Sequence, residues 1–573
     1  MNTLIELKDS FKSYTYDQDK VISPDQTVAT IKERLARIQL DILKEVVRID
    51  TGRLDIPVYL SFCGSDAFNT IGTKKQMGKG ATPIQAEASA LMELMERFSF
   101  FHFVKGTDFM RASYDNLAEQ ALPFPLIAAS VHHPADDLAQ AYQAIKDLPL
   151  EFTQATNLTQ GRDYLVPFNW FYEINEFNGP SAGNSLEEAI VQGLGEVVER
   201  HVSALVCEQR LVCPDIDLGS VTDPVARELI AKYRSKGIVL KVKDFTLGLG
   251  IPSIGALAYD PENFPGRSEI VFTAGTATSP EKALIRALTE VAQLAGDFES
   301  RPGYIASGLP KFNHLGEADY VFQSTATIAL ADLPNPSDDN LKTEIVNCTQ
   351  ALARHGLEVL VLETTHPLLQ VPAVYVMIPG ARFRERASAS SVDFFAAKLA
   401  TKTYPPEQAL AYLEYLKGLY PARYYLHFYS GMARLEKQDY TGAIDELKQA
   451  LALHPHEQDL ASIYCHLGIA FKEAGDFEEA IAQLQQALEY DTERSDVHNL
   501  LGFCCYKLKR YQEAIKRFEE AIRHNPGSAI DYANIGVNLR ALGFREEAKE
   551  MYRMALDLDP RLDFARDHLS ELE

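Results

Sequence analysis

Apolar positions in residues 23–48, SPDQTVATIKERLARIQLDILKEVVR, recur at helical spacing behind a serine, which predicts a capped amphipathic helix. The next run, IPVYLSFC (56–63), is dense in strand formers and predicts a strand. A Gly/Lys-rich loop over 72–80 leads into a helical pattern at 78–100, GKGATPIQAEASALMELMERFSF. Further helical patterns cover 178–202 (NGPSAGNSLEEAIVQGLGEVVERHV) and 275–293 (GTATSPEKALIRALTEVAQ). In the middle one, Asn184 and Ser185 offer N-cap oxygens. Strand-like runs such as EIVFTAG, IVLKVKDF, EVLVLET and PAVYVMIPG separate or follow these helices. Helices interleaved with strands predict an α/β or α+β domain over 1–390, with its core at about 55–385.

A Ser/Ala-rich passage then predicts a linker, set at 391–405, and the pattern changes to a repeat over 406–573. Gly468, Gly502 and Gly536 stand 34 residues apart, as do Ala480, Ala514 and Ala548, and Ala487, Ala521 and Ala555. An earlier copy, Gly431, Ala443 and Ala450, lies 37 residues before the next. Two helices per unit with small residues where they meet is the tetratricopeptide pattern, an all-α domain.

Composition narrows the function. With 46% hydrophobic and 24% charged residues the chain is a globular protein, and 573 residues exceed what one core supports. A net charge of -24 argues against nucleic acid as a partner and favours cations and basic partners. Seven scattered cysteines without a C-x2-C pair speak against a structural zinc or iron–sulfur site. The start lacks an apolar signal region and no run reaches the roughly 18 apolar residues of a membrane helix, so a cytoplasmic protein without a membrane span is expected.

Three helices carry the candidate chemistry. In the first, Ser89, Glu93 and Glu96 fall within roughly 60° of arc, followed by Arg97. In the second, Glu188, Gln192, Glu196 and Glu199 fall within roughly 80°, followed by Arg200. In the third, Arg286, Glu290 and Gln293 share one face. One such face alone reads as a solvated acidic stripe. Three of them, if they converge, demand counter-charge, which Mg²⁺ and phosphates supply through carboxylate oxygens and the forked donors of arginine. The loop over 72–80 is not a nucleotide P-loop: five residues separate Gly72 from Gly78 where four are needed, and Gly80 follows Lys79.

The patterns Ser89-x3-Glu93-x2-Glu96-Arg97, Glu188-x3-Gln192-x3-Glu196-x2-Glu199-Arg200 and Arg286-x3-Glu290-x2-Gln293, with GKGAT at 78–82, resemble the YcaO family from about Phe11 to Arg384. The resemblance implies an ATP- and Mg²⁺-dependent enzyme acting on backbone amides of a peptide or protein. A Cys, Ser or Thr side chain or an external sulfide attacks the amide carbon, ATP phosphorylates the amide oxygen, and phosphate leaves. Glu93, Glu96, Glu196 and Glu199 would hold Mg²⁺; Glu188 and Glu290 would be further metal or nucleotide ligands. Arg200 and Arg286 would face phosphates, and Asn184 and Gln192 would orient nucleotide or metal-bound water. Lys12 and Ser23 resemble the N-terminal pair that reaches phosphate in the family, and Lys79 either touches phosphate or is an exposed loop lysine. No catalytic residue proper is assigned.

With the repeats, the chain further resembles bacterial YcaO accessory factors of ribosomal protein S12 methylthiolation. Thioamidation or assistance to methylthiolation is therefore expected. The alternatives are a non-catalytic ATP-binding adaptor whose repeats recruit a partner, and an azoline-forming cyclodehydratase. The latter is disfavoured because the chain ends in DFARDHLSELE instead of the family's Pro-rich tail. No leader-binding domain is evident before residue 50, the repeats either dock a substrate or sulfur-donor protein or serve dimerisation or stabilisation, and a homodimer is expected.

Overall fold

The computed structural model describes residues 5–175, 177–299, 312–383 and 390–573. The chain divides into two compact units, Met1–Leu138 with Pro149–Ala387, and Ala139–Leu148 with Ser388–Glu573. The first is a mixed helix and sheet unit and the second is helical, an α+β domain followed by an all-α repeat domain. Among the described residues no helix is long and apolar enough to cross a membrane.

Helix α1 (Pro24–Arg37) opens as its sequence predicts, with Ser23 and Gln26 forming a reciprocal capping box. It ends eleven residues earlier than the predicted helix, which ran to 48. Residues Leu43–Arg48 are instead strand β1, paired antiparallel with β2 (Val58–Cys63). The helical period and the strand-forming pair Val46–Val47 compete there, and pairing with β2 decides the outcome. The expected loop over 72–80 likewise contains strand β3 (Lys75–Lys79), which completes the sheet β1-β2-β3.

Three edge strands organise the first unit. Strand β3 ends its three-stranded sheet, β4 (Pro180–Ala182) ends a six-stranded sheet, and β5 (Val271–Thr276) ends a five-stranded one. Each passes directly into a long helix: α2 (Pro83–Gly106), α3 (Leu186–Glu208) and α4 (Pro280–Ala295). The turn back is tight enough that backbone nearly touches backbone. A Cβ on Gly78 would lie 2.0 Å from Ala90 N and 2.5 Å from Ala86 O. On Gly275 it would lie 2.3 Å from Ala287 N and 2.6 Å from Ala283 O. In the third case the helix supplies the glycine: a Cβ on Gly193 would meet Ser181 Oγ at 2.4 Å.

In the second unit, helix pairs run Tyr424–Glu436 with Tyr440–Ala452, Glu457–Ala474 with Phe477–Tyr490, Ser495–Lys507 with Tyr511–His524, and Ala529–Leu542 with Arg545–Leu558. The repeating glycines take the partner helix's bulk, Gly431 and Gly468 against Leu447 and Leu484, Gly502 and Gly536 against Phe518 and Tyr552. The expected linker at 391–405 is mostly helix α5 (Val392–Thr403), with Val392, Phe395, Ala396 and Leu399 buried. Its Ser/Ala composition suits small-residue packing as well as a flexible joint, which is why composition misled.

His366 sets a pH dependence. Its Nδ1 accepts the backbone N–H groups of Leu368 (3.2 Å) and Leu369 (3.3 Å), and its ring packs 5.1 Å from Phe98 and 4.2 Å from His102. Burial, then the neighbouring His102, pushes its pKa down to about 4. The unfolded chain therefore binds this proton first, so stability falls as pH drops from about 6.5 to about 4. In His366→Asn, whose side-chain oxygen keeps the acceptor but does not titrate, the melting temperature should decline less steeply over that window. Separately, Gly78→Ala should destabilise the first unit by about 1–3 kcal/mol, because helix backbone must give way. Gly266→Ala, with nothing within 4 Å of its added Cβ, should change little, both variants being read by denaturant titration.

Candidate functional site

Each of the three helices begins with the same cap. Thr82 accepts from Gln85 N, Ser185 from Glu188 N, and Ser279 from Lys282 N. Counting from the cap, the third residues are Gln85, Glu188 and Lys282, and the seventh are Ser89, Gln192 and Arg286. The eleventh are Glu93, Glu196 and Glu290, and the fourteenth are Glu96, Glu199 and Gln293. Offsets of 3, 7, 11 and 14 occupy roughly 80° of one helix face. All of these residues except Lys282 line one cavity of about 620 Å³, and Lys282 lines a small recess that shares Lys20, Glu188, Gln192 and Arg286 with it.

The cavity is charged but balanced. Glu93, Glu96, Glu188, Glu196, Glu199 and Glu290 face Lys20, Lys75, Lys79, Arg97, Arg200 and Arg286. Arg97 Nε lies 3.0 Å from Glu93 and 3.4 Å from Glu96; Arg286 donates to Glu199 (3.2 Å) and to Gln192 (2.8 Å). Lys79 pairs with Glu290, and the carboxylate of Glu199 also accepts Thr276 N at 2.9 Å. Glu188 accepts from Asn184 Nδ2 (2.9 Å) and Val21 N (3.0 Å), with Lys20 Nζ at 3.5 Å.

Burial shifts the protonation of these groups. Loss of water, then the charge of Glu93, drives the Glu96 carboxyl well above the ordinary range. Burial also raises Glu196, with Arg200 and Arg97 opposing it. Lys79 is brought down to about 7 by burial and by the charge of Arg286. Glu96 Oε1 is buried and makes no hydrogen bond among the described residues.

The N-terminal segment ties the three helix starts together. Asp17 accepts Ala81 N (3.2 Å) just before α2, Lys8 N donates to Glu187 (2.8 Å) in α3, and Lys282 Nζ of α4 donates to the carbonyls of Thr15 (2.7 Å) and Tyr16 (2.8 Å). It also brings Gln18 and Lys20 to the cavity wall, and Thr27 of α1 joins them. Sequence reasoning passed over these three; no motif marks them, since the strap is irregular. Lys12 and Ser23 lie off the cavity wall. Lys12 is bound to Asp19 (2.9 Å) and to the fully buried Glu344 (2.5 Å), and Ser23 caps α1. The other expected residues, Lys79, Glu93, Glu96, Asn184, Glu188, Gln192, Glu196, Glu199, Arg200, Arg286 and Glu290, all line it.

The donor set fits a hard divalent cation with a polyphosphate. Among the described residues no three acidic, His or Cys side chains form a preassembled metal cage. Mg²⁺, however, is commonly held by one or two carboxylates, water and the phosphates themselves. Glu96 Oε1 is a buried hard oxygen of the required kind that makes no hydrogen bond among the described residues and has Arg97 Nε at 3.4 Å, and Arg97, Arg286 and Lys79, each paired with a carboxylate here, are the cations that would turn to phosphate.

A cavity of this make-up defines a binder of a polyanion together with its cation. The family model described as "YcaO cyclodehydratase, ATP- and Mg2+-binding" matches residues 77–382, and the chain belongs to the YcaO family. Its cofactors are those of the family, ATP and Mg²⁺. Tetratricopeptide repeat models match residues 424–493 and 471–536. An uncharacterized protein of Methanothermobacter thermautotrophicus is 27% identical over 389 residues, covering 63% of this chain and 94% of that protein. The ribosomal protein S12 methylthiotransferase accessory factor YcaO of Escherichia coli is 28% identical over 215 residues, 32% of this chain and 36% of its own length. The structure of YcaO from Methanopyrus kandleri bound with AMPPCP and Mg²⁺ shares the fold at a TM-score of 0.52 and 24% identity, over 67% of this chain and 97% of that one.

Glu96→Gln tests the reading of the buried acids. A carboxyl whose pKa rises on folding opposes folding at neutral pH, so the substitution should stabilise the cofactor-free protein by about 0.5–2 kcal/mol. It should weaken Mg–nucleotide binding at least tenfold in calorimetry.

Proposed function

We propose that the protein uses ATP and Mg²⁺ to activate a backbone amide oxygen of a peptide or protein, leading to thioamidation or assisting methylthiolation. One observation carries this reading: three helices at one cap register bring six carboxylates and three arginines into a single cavity, where Lys20, Lys75 and Lys79 complete the balance of charge. An amide oxygen is a poor leaving group, and Mg–ATP, when bound, supplies the phosphoryl group that improves it. The chain's own work is positioning and charge neutralisation. Glu93, Glu96, Glu196 and Glu199 take the metal, with Glu188 and Glu290 at its margins or on the nucleotide. Arg200, Arg286 and Lys79 take the phosphates, and Asn184 and Gln192 orient nucleotide or metal-bound water.

The repeats bring a protein substrate or a sulfur-donor partner to this site, in a cytoplasmic homodimer. Family membership and the E. coli relative, an accessory factor, support the wider reading, and the intact acidic helices favour catalysis over an adaptor that only binds nucleotide.

Whole-proteome mass spectrometry decides between them. Cells with and without the protein should differ in one protein or peptide by sulfur in place of oxygen, by loss of water, or by an added methylthio group. Complementation with Glu199→Gln should leave that difference unrestored. Full restoration by Glu199→Gln would instead establish the adaptor, and no difference at all would overturn the amide-activating function.

A further inference from the structure

Strand β3 forms part of the cavity wall and is also the open edge of its sheet. Its hydrogen-bond phase follows from its neighbours. Cys63 N donates to Lys74 O (2.9 Å), and the register then pairs Ser61 with Gln76 and Tyr59 with Gly78. In an antiparallel ladder alternate residues point their backbone groups at the neighbour. Lys74, Gln76 and Gly78 therefore face β2, and the N–H and C=O groups of Lys75, Met77 and Lys79 face outward. None of those outward groups meets a backbone partner among the described residues. The side chains of the same three residues line the cavity that holds Glu93 and Glu96. At the open end of the strand, Lys74 and Lys75 are exposed and form no ion pair among the described residues, in a chain of net charge -24.

We infer that β3 is the docking edge for the substrate: an extended peptide segment adds to it as a fourth strand, with acidic side chains toward Lys74 and Lys75. The inference rests on the amide-activating reading and deepens it. Strand addition gives affinity through main-chain bonds, whatever the side chains, and lays consecutive peptide amides beside the acidic helices. The two lysines then select acidic flanks against the repulsion of the rest of the surface.

Met77→Pro is a selective test. The Met77 N–H points away from β2, so proline removes an outward donor and leaves the existing ladder intact. Random linear peptides displayed on phage are selected on the full-length protein with Mg²⁺ and a non-hydrolysable ATP analogue. The expected binders are rich in Asp and Glu and slow hydrogen exchange at the amides of Lys75, Met77 and Lys79. They should bind Met77→Pro at least tenfold more weakly and Met77→Ala nearly normally. Methylating alternate backbone nitrogens of the peptide should abolish binding to the unaltered protein, a control that needs no variant. Failure to recover any such peptide, equal binding by Met77→Pro, or protection confined to the helices after residue 424 would overturn the inference. Peptides that dock on β3 but are never modified would leave the docking edge standing and count against the amide-activating reading instead.

Discussion

Carboxylates taken out of water must be met by positive charge or give up their own, and the first unit is arranged around six that share one cavity. Each available solution has been used: Arg97 between Glu93 and Glu96, Arg286 on Glu199, Lys79 on Glu290, and a raised protonation range for Glu96 and Glu196. Internal pairs of this kind hold the cavity walls together without filling the space. A guest carrying only one sign of charge would strand half of each pair. A metal ion with a polyphosphate carries both signs and can replace both halves at once, which suits the cavity's overall balance to its cofactors.

The same device recurs at two scales. In the first unit Gly78 and Gly275 let a strand and its following helix approach until backbone meets backbone, and Gly193 leaves room for the Ser181 hydroxyl. In the second, Gly431, Gly468, Gly502 and Gly536 let one helix of a pair receive a leucine or an aromatic ring from the other. Small residues thus do different work. In the repeats they set a spacing that is copied along a stack. Around the cavity they fix the rotation of three helices, and so decide which side chains point inward.

Much of this was legible before any coordinates. Helical spacing located α2, α3 and α4, and the 34-residue recurrence of glycine and alanine located the repeat pairs. The acidic faces were legible because helical spacing alone puts Glu93 near Glu96 and Glu196 near Glu199. What escaped depends on partners distant in sequence. Residues 43–48 became a strand through pairing with β2, and 392–403 became a helix through burial of Val392, Phe395 and Leu399. Lys12 is paired with Glu344, more than 300 residues away, a partner that no local pattern announces. The shared cap offset was present in the sequence, at Thr82, Ser185 and Ser279. It is noticed only when counting starts from the cap and not from the acids.

That offset makes the chain sensitive to length in a way it is not sensitive to composition. From Gly78, Ser181 and Gly275 to the caps at Thr82, Ser185 and Ser279 the distance is four residues in each case. One residue gained or lost within any of these turns would rotate the helix that follows by about 100° against its strand and carry its acids out of the cavity. Side chains at many positions can drift among relatives that share only about a quarter of their residues. Insertions and deletions should be barred from these three turns and from the first fourteen residues of the helix after each cap, so that the cavity is inherited as a set of counted intervals more than as a set of letters.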